Sequence, residues 1–210
     1  MNKDEEIQKL NEKIKVCKQC PLYKTATQAV PGEGGTRVEI MFIGEAPGYW
    51  EDQKGRPFVG EAGKLLDKSL TEIGLSRSEV FITNILKHRP PGNRDPQPSE
   101  IEACRDWLDN QIRIISPRII VTLGRFSMNK FLPGAFISSV HGQSRWIEIG
   151  SKKYLILPFY HPAAALRSEG ILRQFKSDFE KLRKLKDNIN SQPEEFTKKE
   201  QKDNPQLSLL

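Results

Sequence analysis

The chain is poor in cysteine and histidine and contains no long apolar run. Its 210 residues include three cysteines and three histidines. An odd cysteine count argues against a disulfide framework, the device of small secreted domains. No apolar stretch approaches the roughly 18 residues that cross a bilayer, which excludes a membrane-spanning helix. The opening MNKDEEIQKLNEKI is charged from the start and does not read as a secretory signal. A cytoplasmic protein without a membrane partner is therefore expected. No internal repeat is present, and the length suits one well-buried domain with little left for a second. Lys and Arg outnumber Asp and Glu by 33 to 27, a net charge of +6, which favours a polyanionic partner without fixing the fold.

What is present begins with strands. Four short β-rich apolar runs stand out: Val38–Ile43, Val80–Ile85, Arg118–Leu123 and Tyr154–Pro158. Helical patterns lie between or after them, over roughly 60–73, 99–115, 125–131 and 169–186. Residues 3–16 add an N-terminal helix with Ile7, Leu10 and Ile14 at helical spacing. Continuous apolar strands alternating with helices predict an α/β fold: three layers, α/β/α, around a central four-stranded, mostly parallel sheet. Residues 138–157 read as a hairpin feeding the last core strand, and Ser99 with Glu102 reads as a capping box. The domain is expected to span residues 1–186. From 187 to 210 the polar, charged composition predicts a disordered tail.

The chemistry concentrates where strands end. The segment Gly44–Leu66, GEAPGYWEDQKGRPFVGEAGKLL, follows the first strand with glycines, prolines and acids. Such density sets backbone shape closely and holds acidic groups beside it. The second strand ends in Asn84 and runs into KHRPPGNRDP, the third ends at Gly124, and the fourth delivers Tyr160 and His161 in YHPAAALR. Parallel strands place these ends on one edge, so the acids, the amide, Phe58 and His161 should meet. That set predicts a small polar pocket that reads a planar heterocycle and performs acid/base chemistry. Cys17 and Cys20 form a CxxC pair that fits either a redox pair or half a metal site. Its position after a charged helix rather than a strand favours metal.

Several long motifs in order, GEAPGYWEDQKGRPFVGEAGKLL, FITNILKHRPPGNRDPQPSEIEAC, VTLGR and YHPAAALR, give the chain a resemblance to the family 4 (iron–sulfur) uracil-DNA glycosylases over roughly residues 7–185. The resemblance implies a monofunctional hydrolase of base excision repair that cleaves the N-glycosidic bond of deoxyuridine in DNA. The base must then be flipped into the pocket. It implies that Phe58 stacks on uracil and that Asn84 donates to O4 and accepts from N3–H, a pattern that cytosine reverses. His161 would face O2 as charge develops, with backbone N–H groups at Glu45 and Ala46 beside it. Glu51, with Asp52 next to it, would orient the attacking water, and Glu45 would line the pocket. Leu166 and Arg167 would probe the duplex and contact phosphate.

The resemblance also implies a [4Fe–4S] cluster held by four cysteines. Here Cys17, Cys20 and Cys104 occupy three of those positions and His88 stands at the fourth. Histidine can replace cysteine on such a cluster, and zinc in a Cys3His site is the alternative. A related branch with a cluster histidine forms a covalent adduct with uracil-containing DNA, so a trapping protein without turnover is the rival reading. That branch carries an inserted basic loop with a second histidine, whereas this chain runs straight through KHRPPGNRDPQPSEIEAC, which favours hydrolysis. The final QLSLL, residues 206–210, resembles a peptide that repair proteins insert into a sliding clamp. A monomer is expected.

Overall fold

The computed structural model describes residues 2–191. In chain order the elements are α1 (Lys3–Lys15), β1 (Glu33–Gly34), β2 (Ile40–Gly44), α2 (Tyr49–Lys54), α3 (Glu61–Glu72), β3 (Val80–Asn84), α4 (Pro98–Ile115), β4 (Ile119–Leu123), α5 (Arg125–Asn129), α6 (Ile137–Val140), β5 (Arg145–Ile149), β6 (Lys152–Phe159), α7 (Pro162–Ala165) and α8 (Glu169–Ser191). Every residue of β2, β3 and β4 is buried. This explains why those strands read as continuous apolar runs rather than as alternating ones.

The sheet order is β1-β3-β2-β4-β6-β5. β2 lies parallel to β3 and β4, and β4 parallel to β6, which gives the expected parallel core of four strands. The expectation of a four-stranded sheet needs correction, because β1 and β5 extend it to a mixed sheet of six, each antiparallel to its neighbour. The β5–β6 pair is the hairpin read from residues 138–157. β1 is only Glu33-Gly34, too short and too polar to carry an apolar signature. It exists because Glu33 and Gly34 pair with Ile82 and Phe81 of β3.

Successive strand residues face opposite sides, so each strand feeds two cores. Phe42, Ile82, Val121 and Leu157 meet Leu66 and Leu70 of α3 and Phe175, Phe179 and Leu182 of α8. Met41, Ile43, Phe81, Ile120 and Ile156 meet Ile7, Leu10 and Ile14 of α1 and Leu108, Ile112 and Ile115 of α4. Helices therefore cover both faces of the sheet.

Two local expectations change. The capping box of α4 is formed by Gln97 and Glu100, not by Ser99 and Glu102, because Pro98 takes the first helical position. Helix α8 continues to Ser191, past the boundary expected at 186. The remainder of the predicted tail, with residues 206–210, lies outside the described residues. No helix among the described residues is long and apolar enough to cross a membrane.

The strand register aligns the chain's chemistry-bearing loops. Gly44 is paired with Asn84 and Leu123 with Phe159, so the parallel strands end level on one edge of the sheet.

Candidate active site

At that edge opens a cleft of about 610 Å³, whose walls include Glu45, Glu51, Phe58, Asn84, His161 and Arg167. Six side chains expected from three separate motifs are thus brought together, as strand topology predicts.

Asn84 ends β3 and is 2 % exposed. Its Oδ1 is buried and has no hydrogen-bond partner among the described residues. Such an orphan acceptor costs ~1–3 kcal/mol. Asn11, Ser69, Thr122 and Trp146 also carry an unpartnered buried atom, but of the five residues only Asn84 lines the cleft. Gly44, its neighbour in register, makes the approach possible. A Cβ at that position would collide with Asn84 Oδ1 and with the edge of the Phe58 ring. Beneath Asn84 lies Lys87, fully buried, whose Nζ donates to Asn84 O (2.7 Å), Thr83 Oγ1 (2.8 Å) and Gln111 Oε1 (2.7 Å). Burial pushes the Lys87 ammonium down to about 7. Neither Lys87 nor Gln111 was singled out in the sequence, and their partnership spans 24 residues.

Phe58 is buried and adopts φ 51°, a left-handed conformation that bulky residues rarely take. Its ring centroid lies 5.8 Å from that of His161. Arg77 holds the strained turn, donating to Phe58 O (3.1 Å), Pro57 O (2.6 Å) and Asp67 Oδ1 (2.7 Å) while pairing with Glu33. Gly63 lets the turn press onto α3, because a Cβ there would overlap the Phe58 carbonyl. Arg77 also escaped the sequence reading. An arginine before a strand looks like a solvated charge until its four partners are known.

His161 forms the N-cap of α7, where the Ala163 N–H donates to its Nδ1 at 3.1 Å. This bond assigns the remaining ring proton of the neutral form to Nε2, leaving that N–H as the donor. Burial pushes the imidazole down to about 4, with Glu51 opposing. The ring is therefore neutral near pH 7.

The acids divide. Glu51 Oε1 accepts from Val59 N (2.7 Å) and Gly60 N (2.9 Å), which ties α2 to the Phe58 turn and holds the carboxylate at the cleft. Asp52, expected beside it, is buried and accepts from Thr27 N at 2.9 Å. It braces the preceding loop and is not part of the cleft wall. Glu45 is half-buried, and desolvation with Asp95 nearby pushes its carboxyl up to about 7, partly offset by Arg125. Asp95 and Arg125 form an ion pair at the cleft rim, and neither was predicted. Ala46 lines the same wall. Leu166 caps α7 with half its surface exposed, beside Arg167.

Away from the cleft, Cys17, Cys20 and Cys104 are all buried. Cys20 and Cys104 form a small apolar cluster with Leu22 and Leu86. Trp107 Nε1 donates to the Cys17 sulfur at 3.2 Å. The backbone at Leu22 and at Lys87 favours the charged forms of Cys20 and Cys104, against the larger effect of burial. Burial pushes Cys20 up and Cys104 up to about 11. His88 is buried and pushed down by desolvation, with Asp52 as its charged neighbour. Among the described residues, no three His, Cys, Asp or Glu side chains converge as the ligands of one ion would.

Sequence comparison agrees with this geometry. Residues 31–184 match the family model described as the uracil DNA glycosylase superfamily. The type-4 uracil-DNA glycosylase of Sulfurisphaera tokodaii is 49 % identical over 185 residues, covering 85 % of this chain and 84 % of the relative. That of Archaeoglobus fulgidus is 47 % identical, covering 86 % and 94 %. That of Saccharolobus solfataricus is 48 % identical, covering 87 % and 86 %. The level strand ends, the orphaned asparagine and these matches lead to one conclusion: the chain belongs to the uracil-DNA glycosylase superfamily, among its type-4 members.

Proposed function

We propose that the protein excises uracil from DNA by hydrolysing the N-glycosidic bond, releasing free uracil and leaving an abasic site. The observation that carries this reading is the buried, unpartnered Oδ1 of Asn84, set against the Phe58 ring in the cleft. An amide there offers one donor and one acceptor side by side, which complements O4 and N3–H of uracil and opposes cytosine. A site whose buried polar groups go unpaired with the wrong base rejects it strongly.

Phe58 supplies the stacking face. The Nε2–H of His161 meets O2 as negative charge grows there, and the neutral ring keeps its donor without bringing a proton that must be lost. Backbone N–H groups around Glu45 and Ala46 lie at the same wall. Glu51, held by two backbone donors, orients the water. Leu166 fills the space left by the flipped nucleotide and Arg167 meets phosphate.

The thiols fit a [4Fe–4S] cluster with Cys17, Cys20, Cys104 and His88 as ligands. The indole N–H of Trp107 on Cys17, with the backbone at Leu22 and Lys87 favouring the thiolates of Cys20 and Cys104, is the surrounding that cluster thiolates require. The group would supply negative charge and a cross-link between residues 17–24 and 87–104, and no chemical step. Beyond the described residues, QLSLL at 206–210 is a docking element for a sliding clamp, and deletion of these five residues tests it by clamp pull-down. The protein acts as a cytoplasmic monomer.

Release of free uracil in molar excess over enzyme tests the central claim. A single equivalent that stays bound to protein would mean trapping instead. Iron, sulfide and zinc assayed on the same sample decide the metal.

A further inference from the structure

The lip of the cleft carries two large aromatic side chains that the pocket does not use. Tyr49 is 50 % and Trp50 54 % exposed, at the start of α2. They touch edge to face, with centroids 5.1 Å apart. Lys54 Nζ stands 5.9 Å from the Trp50 ring, and the Arg89 guanidinium 5.2 Å from that of Tyr49. Their chain neighbours Gly48 and Glu51 line the cleft. Arg89 also donates to Asn93 at 2.7 Å, and Pro90 and Asn93 line the same cleft. The aromatic pair and its two cations therefore form one surface continuous with the pocket mouth.

We propose that Tyr49 and Trp50 form a stacking platform for an unpaired nucleotide next to the target uridine, with Lys54 and Arg89 meeting its phosphates. This inference rests on the reading of the cleft as a nucleotide pocket. Exposed apolar rings interleaved with cations suit single-stranded nucleic acid, because every base offers a π-face and every linkage a negative charge. A pocket that takes one nucleotide leaves its neighbour at the lip. In a duplex that neighbour remains stacked in the helix, whereas in a single strand it is free to settle on the rings. The platform thus favours single-stranded or locally opened DNA.

The test uses uracil-free DNA, so that it is independent of excision. Binding of a dT oligonucleotide and of a duplex of equal length is measured by fluorescence anisotropy at one salt concentration, since phosphate contacts vary with salt. The Tyr49→Ala/Trp50→Ala protein is expected to bind the single strand about tenfold more weakly, with the duplex changed by less than about twofold, and Trp50→Phe to keep most of the affinity. Both aromatic side chains are exposed, and thermal melting confirms the fold. Unchanged single-strand binding overturns the proposal and leaves the patch to a protein partner. An equal loss on both substrates also overturns it, because stacking on an unpaired base would not weaken duplex binding. Absence of uracil release by the unsubstituted protein would instead sink the excision reading, leaving these binding results intact.

Discussion

The cleft and the cysteine region are built on opposite terms. Each cleft group is placed by bonds the chain makes with itself. Lys87 holds Asn84, Arg77 holds the Phe58 turn, Ala163 N orients His161 and two amides hold Glu51. Burial shifts His161 and Glu45 there as well, but the one buried side-chain atom of the cleft wall left without a hydrogen-bond partner among the described residues is Asn84 Oδ1. In the cysteine region the deficits are spread over several groups. Two thiols are pushed up by burial, a histidine is desolvated, and the local apolar cluster is small. The cleft groups are held in place by the chain itself, whereas these two thiols and His88 are desolvated with little around them to offset it. On the proposed reading, the first pattern is preorganisation for chemistry and the second is preparation for a cofactor.

The sharpest break of this contrast is Asn84→Ala. Excision, measured as kcat/KM for uracil release, should fall by about 10²–10³-fold. Tm should hold or rise, because an unsatisfied buried acceptor is removed. A large loss of Tm would show that Asn84 is structural. Cys104→Ala should do the reverse. Losing the proposed ligand and its constraint should lower Tm by about 5–10 °C, while excision per folded molecule falls less than about tenfold. Equal losses of activity in the two variants at a temperature where both are folded would merge the regions into one.

Arg77→Met asks whether the Phe58 turn needs its clamp. It frees two carbonyls and leaves Glu33 with Arg56 alone. A destabilisation of ~1–3 kcal/mol is expected by denaturant melts, with KM raised more than kcat is lowered. The smallest effect is expected from Glu45→Gln. A carboxyl raised to about 7 in the fold binds more protons than in the unfolded chain between pH 4.5 and 7, so it lowers stability as pH rises through that window. The glutamine variant should therefore gain roughly 1–2 kcal/mol at pH 8, after allowance for solvent screening, and nothing at pH 4. A gain that is the same at both pH values would remove the carboxyl as its cause.

Legibility in the sequence tracks the range of the forces involved. The four core strands were legible because burial on both faces leaves an unbroken apolar run in the sequence itself. Asn84 and His161 were legible because strand ends converge by topology alone. β1 was not, since Glu33-Gly34 is held by a partner strand far along the chain. Arg77 and Lys87 were missed for the same reason. Each looks like an ordinary surface cation until folding delivers Glu33 and Asp67 to one, and Gln111 to the other. Asp52 was misplaced because adjacent acids on a short helix point to different sides, and its backbone partner at Thr27 lies far back in the chain.

Gly44 restricts how this protein can diverge. With the Asn84 amide and the Phe58 ring both against it, even one added methyl at this position meets the two at once. A lineage changing its preferred base can explore positions 45, 84 and 161 by single steps, each testing a new contact. It cannot pass through position 44 without dismantling the pocket that gives those steps their value. In mutational scans the residue with no side chain should be the least permissive of the cleft, and descendants with altered substrates should be recognisable by its retention.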